Sequence, residues 1–313
     1  MTNTCSKQCS SELWVSSERK VNTQREVPPD DVAQQLLQNV CVEVRGGKSV
    51  PILRPRSEIE EDCKEIKPLG RGYFGVVTLV RYKGMIAVKK TPCTNNGEPE
   101  DFFIDEGVIL YRLKGAGGAP RLLGLAVDSP VIIMSYCEGN TLHRARPGPN
   151  VTDRASWWLK VFISLIKNIM EIHALGCIHN DIHSYNVLLS TKGGYNSPTT
   201  HLIDFGVSMM VDQEPQGNES AEDLLYKVAS PSADIIHIAC IFDIIAKPLD
   251  GMDTSSLVDV WNEGLKELVH AMKNTNKMER PPLTFVYQEL NRLLKFTTNQ
   301  TFQKSSKRLK EFT

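Results

Sequence analysis

The sequence has no long uninterrupted apolar run and no excess of charge of one sign. Its most apolar stretch, residues 235–246, contains His237 and Asp243 and is too short to span a bilayer. The 36 Lys and Arg residues balance 37 Asp and Glu residues, giving a formal net charge of -1. The overall charge of the chain therefore does not indicate nucleic acid or an anionic membrane as a partner. We expect a protein without a membrane span.

Paired cysteines are also missing. The eight cysteines are scattered singly, without a Cys-x-x-Cys pair. This pattern disfavours a disulfide framework or a zinc site and favours free thiols in a reducing compartment. The first residues, 1–7, contain no apolar segment of the kind that a secretory signal requires. We expect a cytoplasmic location, with the nucleus as the alternative.

The chain contains enough hydrophobic residues to form the core of a folded protein. Hydrophobic residues make up 41% of the chain and charged residues 23%, which excludes a wholly disordered chain. Residues 1–60 show little periodicity and are predicted to form a flexible or loosely packed extension, with a short helix near 32–40. Residues 61–296 carry the regular patterns of a folded domain. Residues 297–313 are predicted to be a basic tail.

The folded region divides into a strand-rich and a helical part. Strands are predicted at residues 66–69, 76–82, 85–90, 122–127 and 131–136, with one helix at 102–113. Helices are predicted at residues 153–175, 235–245, 257–272 and 283–296. The pattern indicates an α+β protein with a small lobe at 61–136 and a larger, mainly helical lobe at 137–296.

A glycine-rich motif separates the first two predicted strands. Gly70, Gly72 and Gly75 have GxGxxG spacing, which lets a backbone turn lie close over a bulky anion where a Cβ would collide. Glycine turns are also common in ordinary hairpins. The motif lies between two strands rather than between a strand and a helix, which disfavours dinucleotide binding. It fits a glycine-rich lid over nucleotide phosphates.

A lysine follows within an apolar strand. Burying an ammonium group without a partner is costly, so Lys89 either reaches solvent at a sheet edge or points inward to a carboxylate and a phosphate. Glu106, in the predicted helix, is the natural partner. Asp105 is the alternative by proximity.

Three oxygen-bearing side chains follow in the larger lobe. Asp181 and Asn186 are five residues apart in a polar loop after the long helix, so one loop can present both. Asp204 ends a later strand in the sequence Asp-Phe-Gly. A carboxylate can orient a hydroxyl nucleophile, while amide and carboxylate oxygens suit Mg²⁺ held jointly with substrate phosphates.

Taken together, these motifs resemble the signature set of the eukaryotic protein kinase family. The resemblance runs from about residue 65 to about residue 296 and implies a bilobal fold with a five-stranded antiparallel sheet in the small lobe. It also implies ATP and Mg²⁺ bound between the lobes, and a protein substrate. By the same resemblance, Lys89 would pair with phosphate and Glu106, Asp181 would be the catalytic base, and Asn186 and Asp204 would hold metal.

The nucleotide-binding surface is also assigned by this resemblance. Val77, Ala87 and Leu188 match residues that sandwich adenine, and Met134 matches the gatekeeper before the hinge. The resemblance implies nucleotide contacts at Leu69, Gly70, Arg71, Gly72, Tyr73, Phe74, Gly75, Val76, Val77, Ala87, Lys89, Glu106, Met134, Ser135, Tyr136, Cys137 and Leu188. In the larger lobe, Glu222 and Arg280 resemble a buried ion pair of the family.

Two residues depart from the family pattern. Asn180 replaces the arginine that usually clasps a phosphorylated activation segment, which favours activity without that phosphorylation. His183 stands where serine/threonine kinases carry lysine, and its imidazole could partly substitute at the γ-phosphate. We expect transfer of the ATP γ-phosphoryl group to a protein hydroxyl, with serine or threonine favoured over tyrosine. The alternatives are a pseudokinase scaffold and a small-molecule kinase of the aminoglycoside or choline type.

Overall fold

A computed structural model describes residues 43–45, 48–50, 52–72, 75–93, 101–127, 129–145, 154–211, 230–246 and 263–310. All of them fall within one compact unit, Val42–Thr313. The helix predicted near residues 32–40 lies outside the described residues.

Twelve strands and six α-helices are described. The strands are β1 (Glu43–Arg45), β2 (Lys48–Val50), β3 (Cys63–Arg71), β4 (Gly75–Tyr82), β5 (Met85–Pro92), β6 (Leu122–Ala126), β7 (Val131–Ser135), β8 (Asn140–Thr141), β9 (Cys177–Ile178), β10 (Val187–Ser190), β11 (Thr199–Leu202) and β12 (Met209–Met210). The helices are α1 (Arg56–Glu61), α2 (Asp101–Leu113), α3 (Arg154–Ala174), α4 (Pro231–Ala246), α5 (Glu263–Met272) and α6 (Leu283–Lys310). Single 3₁₀ turns lie at Ala116–Gly118 and Lys277–Glu279.

The small lobe is built on one antiparallel sheet. Its five strands lie in the order β3-β4-β5-β7-β6, and every neighbouring pair is antiparallel. The five predicted strands and helix α2 are therefore confirmed. The lobe also contains the short helix α1, which lies in the segment predicted to be loosely packed and was not predicted.

Helix α1 covers the outer face of this sheet. A set of buried side chains, here called the outer cluster, consists of Ile59, Val80, Tyr82, Ala87, Ala126, Val131 and Ile133. Ile59, from α1, is 0% exposed, and burying a side chain of this size contributes about 1.5–3 kcal/mol. Residues from Ile52 onward are thus packed on the domain, although the prediction placed them in the extension.

A two-residue turn sets the register between β4 and β5. Tyr82 and Met85 face each other across the strands, and Lys83 and Gly84 between them have φ values of +47° and +82°. Positive φ at both central residues is the geometry of a type I′ hairpin, whose twist matches that of the flanking strands. Gly84 meets this requirement without a steric penalty.

This register sorts the residues of β5 between the two faces of the sheet. Val80 lies opposite Ala87, and Val77 lies opposite Lys90. Directly opposed residues share a face, and successive residues alternate between faces. Ala87 and Lys89 therefore lie on the outer face, while Lys90 lies on the inner face beside helix α2.

The larger lobe is organised around helix α3. Its buried stripe includes Phe162, Leu165, Ile169 and Ile172, which recur at alternating steps of three and four residues. Helix α6 packs along α3, and helix α4 contributes Phe242, whose ring stacks on Phe162 at 4.0 Å. The α+β bilobal fold is confirmed, and α6 continues as far as Lys310, through part of the predicted basic tail.

Short strands frame the two loops that carry the predicted chemistry. The first loop lies between β9 and β10, and β10 pairs with β8 and β11. The second lies between β11 and β12, and β12 pairs back with β9. The ends of both loops are therefore held by the same pairs of strands. Among the helices of the described residues, none is long and apolar enough to cross a membrane.

Candidate active site

One lysine of strand β5 connects three segments of the protein. Nζ of Lys90 lies 2.7 Å from Oε2 of Glu106 on helix α2 and 2.7 Å from Oδ1 of Asp204. Lys90 and Glu106 are 5% and 3% exposed, so the cation lies inside the protein. Burial opposes its charge, but Glu106 and Asp204 together raise the pKa of Lys90 above its ordinary value. The ammonium group therefore stays charged at neutral pH.

The predicted pairing of Lys89 with Glu106 is wrong, because Lys90 makes that contact. Nζ of Lys89 instead contacts the exposed carboxylate of Glu65 on the outer face. The choice of Glu106 over Asp105 as the helix carboxylate agrees with the structure. Since successive strand residues point to opposite faces, an error of one residue moves a side chain to the other side of the sheet.

The same error of one residue along β5 makes the predicted adenine contact of Ala87 wrong. Ala87 is fully buried in the outer cluster, on the face opposite Lys90. Val88 takes its place on the inner face, where it lies opposite both Leu79 and Met134. The inner face next to the predicted gatekeeper is therefore lined by Val88.

A signal for the correct lysine was present in the sequence. The predicted strands 76–82 and 85–90 leave only Lys83 and Gly84 between them, which is the length of a two-residue hairpin turn. Counting outward from that turn places Lys90, and not Lys89, opposite Val77. Because Val77 was predicted to face the nucleotide, its cross-strand partner should face it as well.

The loop after β9 presents Asp181 and Asn186 together, as predicted. Nδ2 of Asn186 donates to the backbone carbonyl of Asp181 and to its Oδ2, both at 3.0 Å. This bonding uses the amide nitrogen and leaves Oδ1 of Asn186 as the oxygen that can bind a cation. Burial would raise the pKa of Asp181, but the neighbouring His183 holds it below its ordinary value. Asp181 is therefore a carboxylate at neutral pH.

A buried carboxylate from helix α4 fixes the start of this loop. Asp234 is 0% exposed and accepts hydrogen bonds from the backbone N–H of His179 at 3.0 Å and of Asn180 at 2.9 Å. Its Oδ2 also lies 2.8 Å from Nε2 of His173. Burial acts to raise the pKa of Asp234, but the hydrogen bond from His173 and the neighbouring His179 hold it below its ordinary value. A single side chain thus orients the segment leading into Asp181.

Replacing Asp234 by Asn is expected to lower the free energy of unfolding by about 2–4 kcal/mol, because one of its two accepting oxygens would become an NH₂ group that faces a backbone donor. A carboxylate with a lowered pKa stabilises the fold above its unfolded pKa and loses that effect as the pH falls through the folded pKa. The difference between wild type and variant should therefore shrink below about pH 4. Urea unfolding at neutral and acidic pH measures it.

Asp243 provides the matched control for this change. It lies on the same helix and pairs with Lys273, with its side chain 21% exposed. Asp243→Asn should cost about 1 kcal/mol or less, as partly exposed ion pairs do. Equal losses in the two variants would show that Asp234 does not organise the loop.

Asn180 ties the loop between β9 and β10, here called the catalytic loop after the predicted role of Asp181, to the segment that follows Asp204. Its Nδ2 donates to the backbone carbonyl of Val207 at 3.3 Å, and its own φ is +63°. Asparagine tolerates this left-handed conformation better than most residues with a side chain. The residue found in place of arginine therefore makes a direct link between the two loops.

The Asp-Phe-Gly segment packs against the same loop. Phe205 is 1% exposed, and its ring lies 4.7 Å from that of His179, which is fully buried. Burial lowers the pKa of His179, so its ring is neutral, and Nε2–H donates to the Ile203 carbonyl at 3.1 Å. A Cβ on Gly206 would lie 3.5 Å from Oδ1 of Asp204. It would also lie 3.6 Å from Oε2 of Glu106 and 3.8 Å from Nζ of Lys90. The segment therefore lies against these three side chains, here called the Lys90 cluster.

The three glycines of the glycine-rich turn differ in the space that a side chain would find there. A Cβ on Gly75 would lie 2.5 Å from the carbonyl of Thr91, so the fold itself requires glycine there. A Cβ on Gly70 or Gly72 would meet nothing within 4 Å. Both glycines are exposed, and the space where a Cβ would stand is open. Leu69 and Arg71 are exposed beside this space, Val76 pairs with Arg71, and Tyr73 and Phe74 lie outside the described residues.

The predicted hinge follows strand β7. Met134 is 7% exposed and leads into Ser135, whose N–H already donates to the Arg121 carbonyl at 2.8 Å. A backbone donor to adenine would therefore come from Tyr136 or Cys137. Burial raises the pKa of Cys137 to about 11, so this thiol stays protonated near neutral pH.

Leu188, the adenine contact predicted in the larger lobe, lies on β10. It is half-buried between two buried neighbours.

Two side-chain oxygens of this site could hold a divalent cation together with a phosphate ligand. Within the described ranges, no three His, Cys, Asp or Glu side chains form a group that could hold a metal. Asn186 and Asp204 supply two hard oxygens, and the N–H of Ile203 donates to the carbonyl of Asn186 at 2.9 Å, which brings the two segments together. Mg²⁺ commonly binds through one or two protein oxygens, substrate phosphates and water.

The predicted ion pair of Arg280 with Glu222 is not tested, since Glu222 lies outside the described residues. Arg280 donates to the carbonyls of Ser232 at 2.7 Å and of Asn274 at 2.8 Å. It therefore joins the start of α4 to the segment before α6.

Comparison with known proteins gives consistent matches. Calcium-dependent protein kinase 2 of Oryza sativa subsp. japonica is 28% identical over 269 residues, which cover 74% of this chain and 50% of that protein. Calcium-dependent protein kinase 25 of the same organism is 26% identical over 309 residues, which cover 82% and 56%. A Dictyostelium discoideum protein, named as a probable serine/threonine-protein kinase, is 24% identical over 274 residues, which cover 76% and 29%.

The matched relatives are longer than this chain, which spans about half the length of the two rice proteins. The family model described as the protein kinase domain matches residues 63–264. That range is more than half of the chain, and it contains strand β3, the Lys90 cluster and both loops of the site. The chain belongs to the eukaryotic protein kinase family.

Proposed function

We propose that this protein is an active kinase that transfers the γ-phosphoryl group of ATP to a protein hydroxyl. The observation that carries the proposal is the buried contact of Lys90 with both Glu106 and Asp204, each at 2.7 Å. An ammonium group held charged at this position can neutralise phosphate oxygens. Its carboxylate partners place it between the sheet, helix α2 and the Asp-Phe-Gly segment.

Each of these side chains would have one role at this site. Lys90 would contact the α- and β-phosphates, and the backbone around Gly70 and Gly72 would cover them. Asn186 and Asp204 would hold Mg²⁺, which supplies charge neutralisation on the phosphate oxygens when bound. Asp181, a carboxylate in the neighbouring loop, would accept the proton of the acceptor hydroxyl.

The reaction is a single displacement. The acceptor oxygen forms a bond to the γ-phosphorus while the bond from that phosphorus to the bridging oxygen of ADP breaks, and ADP leaves with the electron pair. The hydroxyl proton passes to Asp181. Catalysis here depends on positioning and on charges fixed in advance, and it requires no covalent intermediate.

Serine and threonine are the proposed acceptors. The support for this choice is the name of the Dictyostelium relative and the wider resemblance to protein kinases, at identities below 30%. The two rice relatives are named as calcium-dependent, and no dependence on calcium is proposed for this chain. A cytoplasmic location is proposed on the cysteine pattern of the sequence.

The proposal is tested with the purified full chain, Mg²⁺ and γ-labelled ATP, using mixed protein acceptors followed by phosphoamino-acid analysis. Label on serine or threonine is expected. Asp204→Asn should lower incorporation by about 100-fold or more, because it removes a charge that would hold the metal.

Three results would contradict the proposal. ATP binding without transfer would indicate a pseudokinase scaffold. Transfer to an aminoglycoside or to choline, but not to protein, would indicate a small-molecule kinase. Incorporation unchanged in Asp204→Asn would show that the activity belongs to a contaminant.

A further inference from the structure

The imidazole of His183 is held in one tautomer by its own loop. The backbone N–H of Tyr185 donates to Nδ1 of His183 at 3.2 Å. An imidazole nitrogen that accepts a hydrogen bond carries no proton, so the proton of the neutral ring resides on Nε2. Nε2 in turn lies 3.4 Å from Oδ2 of Asp181. Even without a positive charge, His183 presents an N–H group to this carboxylate.

The two oxygens of Asp181 have different surroundings. Oδ2 faces Nε2 of His183 and accepts the 3.0 Å hydrogen bond from Nδ2 of Asn186. Within the described residues, both of these side-chain contacts of the Asp181 carboxylate are made by Oδ2. Oδ1 is consequently the oxygen left to receive a proton from a substrate.

Aromatic rings fix the position of His183. The ring of Tyr185 lies 6.1 Å from that of His183 in an edge-on arrangement, at an angle of 69°. Tyr185 also stacks on His143, with ring centroids 4.2 Å apart and an interplanar angle of 20°. The backbone N–H of His143 donates to the carbonyl of Ser184 at 2.9 Å, so the stack is tied to the catalytic loop at both ends.

We infer that His183 is a positioning residue for Asp181: its Nε2–H, together with the amide of Asn186, holds Oδ2 and so directs Oδ1 toward the acceptor hydroxyl. The inference rests on the proposed phosphoryl transfer. It gives His183 a different role from the contact with the γ-phosphate that the sequence suggested. A contact with the γ-phosphate would position ATP, whereas the contact with Oδ2 of Asp181 positions the catalytic base.

Three variants separate the two roles. His183→Gln keeps an N–H donor at the same distance along the side chain, His183→Leu removes it, and His183→Lys provides a cation. His183→Leu should lower kcat by about 10- to 100-fold, the effect of misplacing a reacting group, with KM for ATP unchanged. His183→Gln should recover most of the lost rate.

The contrary result is equally clear. A rise in KM for ATP in His183→Leu that His183→Lys restores and His183→Gln does not would place His183 on the phosphate and overturn the inference. Melting temperatures of the three variants should stay close to that of wild type. A kcat loss that follows the melting temperature would assign His183 a structural role and would also overturn it.

A second measurement does not depend on activity. Nitrogen-15 NMR of the histidine rings in the full chain, assigned with His183→Gln, should show His183 carrying a proton on Nε2. A ring that carries its proton on Nδ1 and none on Nε2 would overturn the inference whether or not the protein transfers phosphate. If the wild-type chain transfers no phosphate while the Nε2–H tautomer is observed, the proposed function fails. The orientation of His183 toward Asp181 would still be supported.

Discussion

Lys90→Met should reduce phosphoryl transfer by about 100- to 1,000-fold, the range seen when a fixed charge is removed from a developing anion. The reason is that Lys90 provides the cation buried against Glu106 and Asp204. The same change should lower the free energy of unfolding by about 3–5 kcal/mol, since it leaves the buried carboxylate of Glu106 without its partner. Steady-state transfer from ATP and urea unfolding measure the two effects.

Lys89→Met is the matched control, one residue away in the same strand. Lys89 pairs with the exposed Glu65, so its loss should cost about 1 kcal/mol or less. Its transfer rate should remain within about twofold of wild type, because the change lies on the outer face of the sheet. If Lys89→Met were inactive and Lys90→Met active, the β4–β5 register described above would be wrong.

A double variant separates the catalytic effect from the loss of stability. Lys90→Met with Glu106→Gln removes the stranded charge and should recover much of the unfolding free energy. The activity should stay lost, because no cation remains for the phosphates. Recovery of both together would mean that the single variant was inactive only because it was partly unfolded.

Asp181→Asn should lower kcat by about 100- to 10,000-fold, the usual contribution of a general base. The amide oxygen can still accept the hydrogen bond from Asn186, so the loop should keep its geometry. The oxygen that faces the substrate becomes an NH₂ group and can no longer take a proton. Nucleotide binding and melting temperature should therefore change little, and both are measured by a thermal shift with and without Mg-ATP.

Asp62→Asn makes the same chemical change away from the site. Asp62 pairs with Arg54 at 2.6 Å near helix α1 in the small lobe. Its replacement should leave kcat unaltered, although some stability would be lost. Transfer that continues undiminished in Asp181→Asn would exclude this carboxylate as the base.

The architecture was predictable because its signals are local. Five short β-rich segments separated by turns lead to an antiparallel sheet, and the repeat of apolar residues between Phe162 and Ile172 leads to helix α3. The catalytic loop was equally accessible, since Asp181 and Asn186 are only five residues apart. A loop of that length can present both side chains at one site, as it does here.

The contacts that were missed depend on distant parts of the chain. Which of two adjacent lysines faces inward depends on pairing between strands, and hydrophobicity does not distinguish Lys89 from Lys90. Helix α1 has six residues, too few for periodicity to be visible, and it forms because Ile59 is buried by the sheet. The stack of Tyr185 on His143 joins residues that are far apart in sequence.

The length of the turn at Lys83-Gly84 determines the register between β4 and β5. One residue added to or removed from the turn would shift the pairing of β4 with β5 by one position and exchange the two faces of β5. After the addition of one residue, Lys89 would take the place of Lys90 opposite Val77 and point toward the carboxylates. Lys90 would point away from them, and Ile86 would replace Ala87 opposite Val80. A change in loop length at the edge of the protein would thus decide which amino group performs the chemistry.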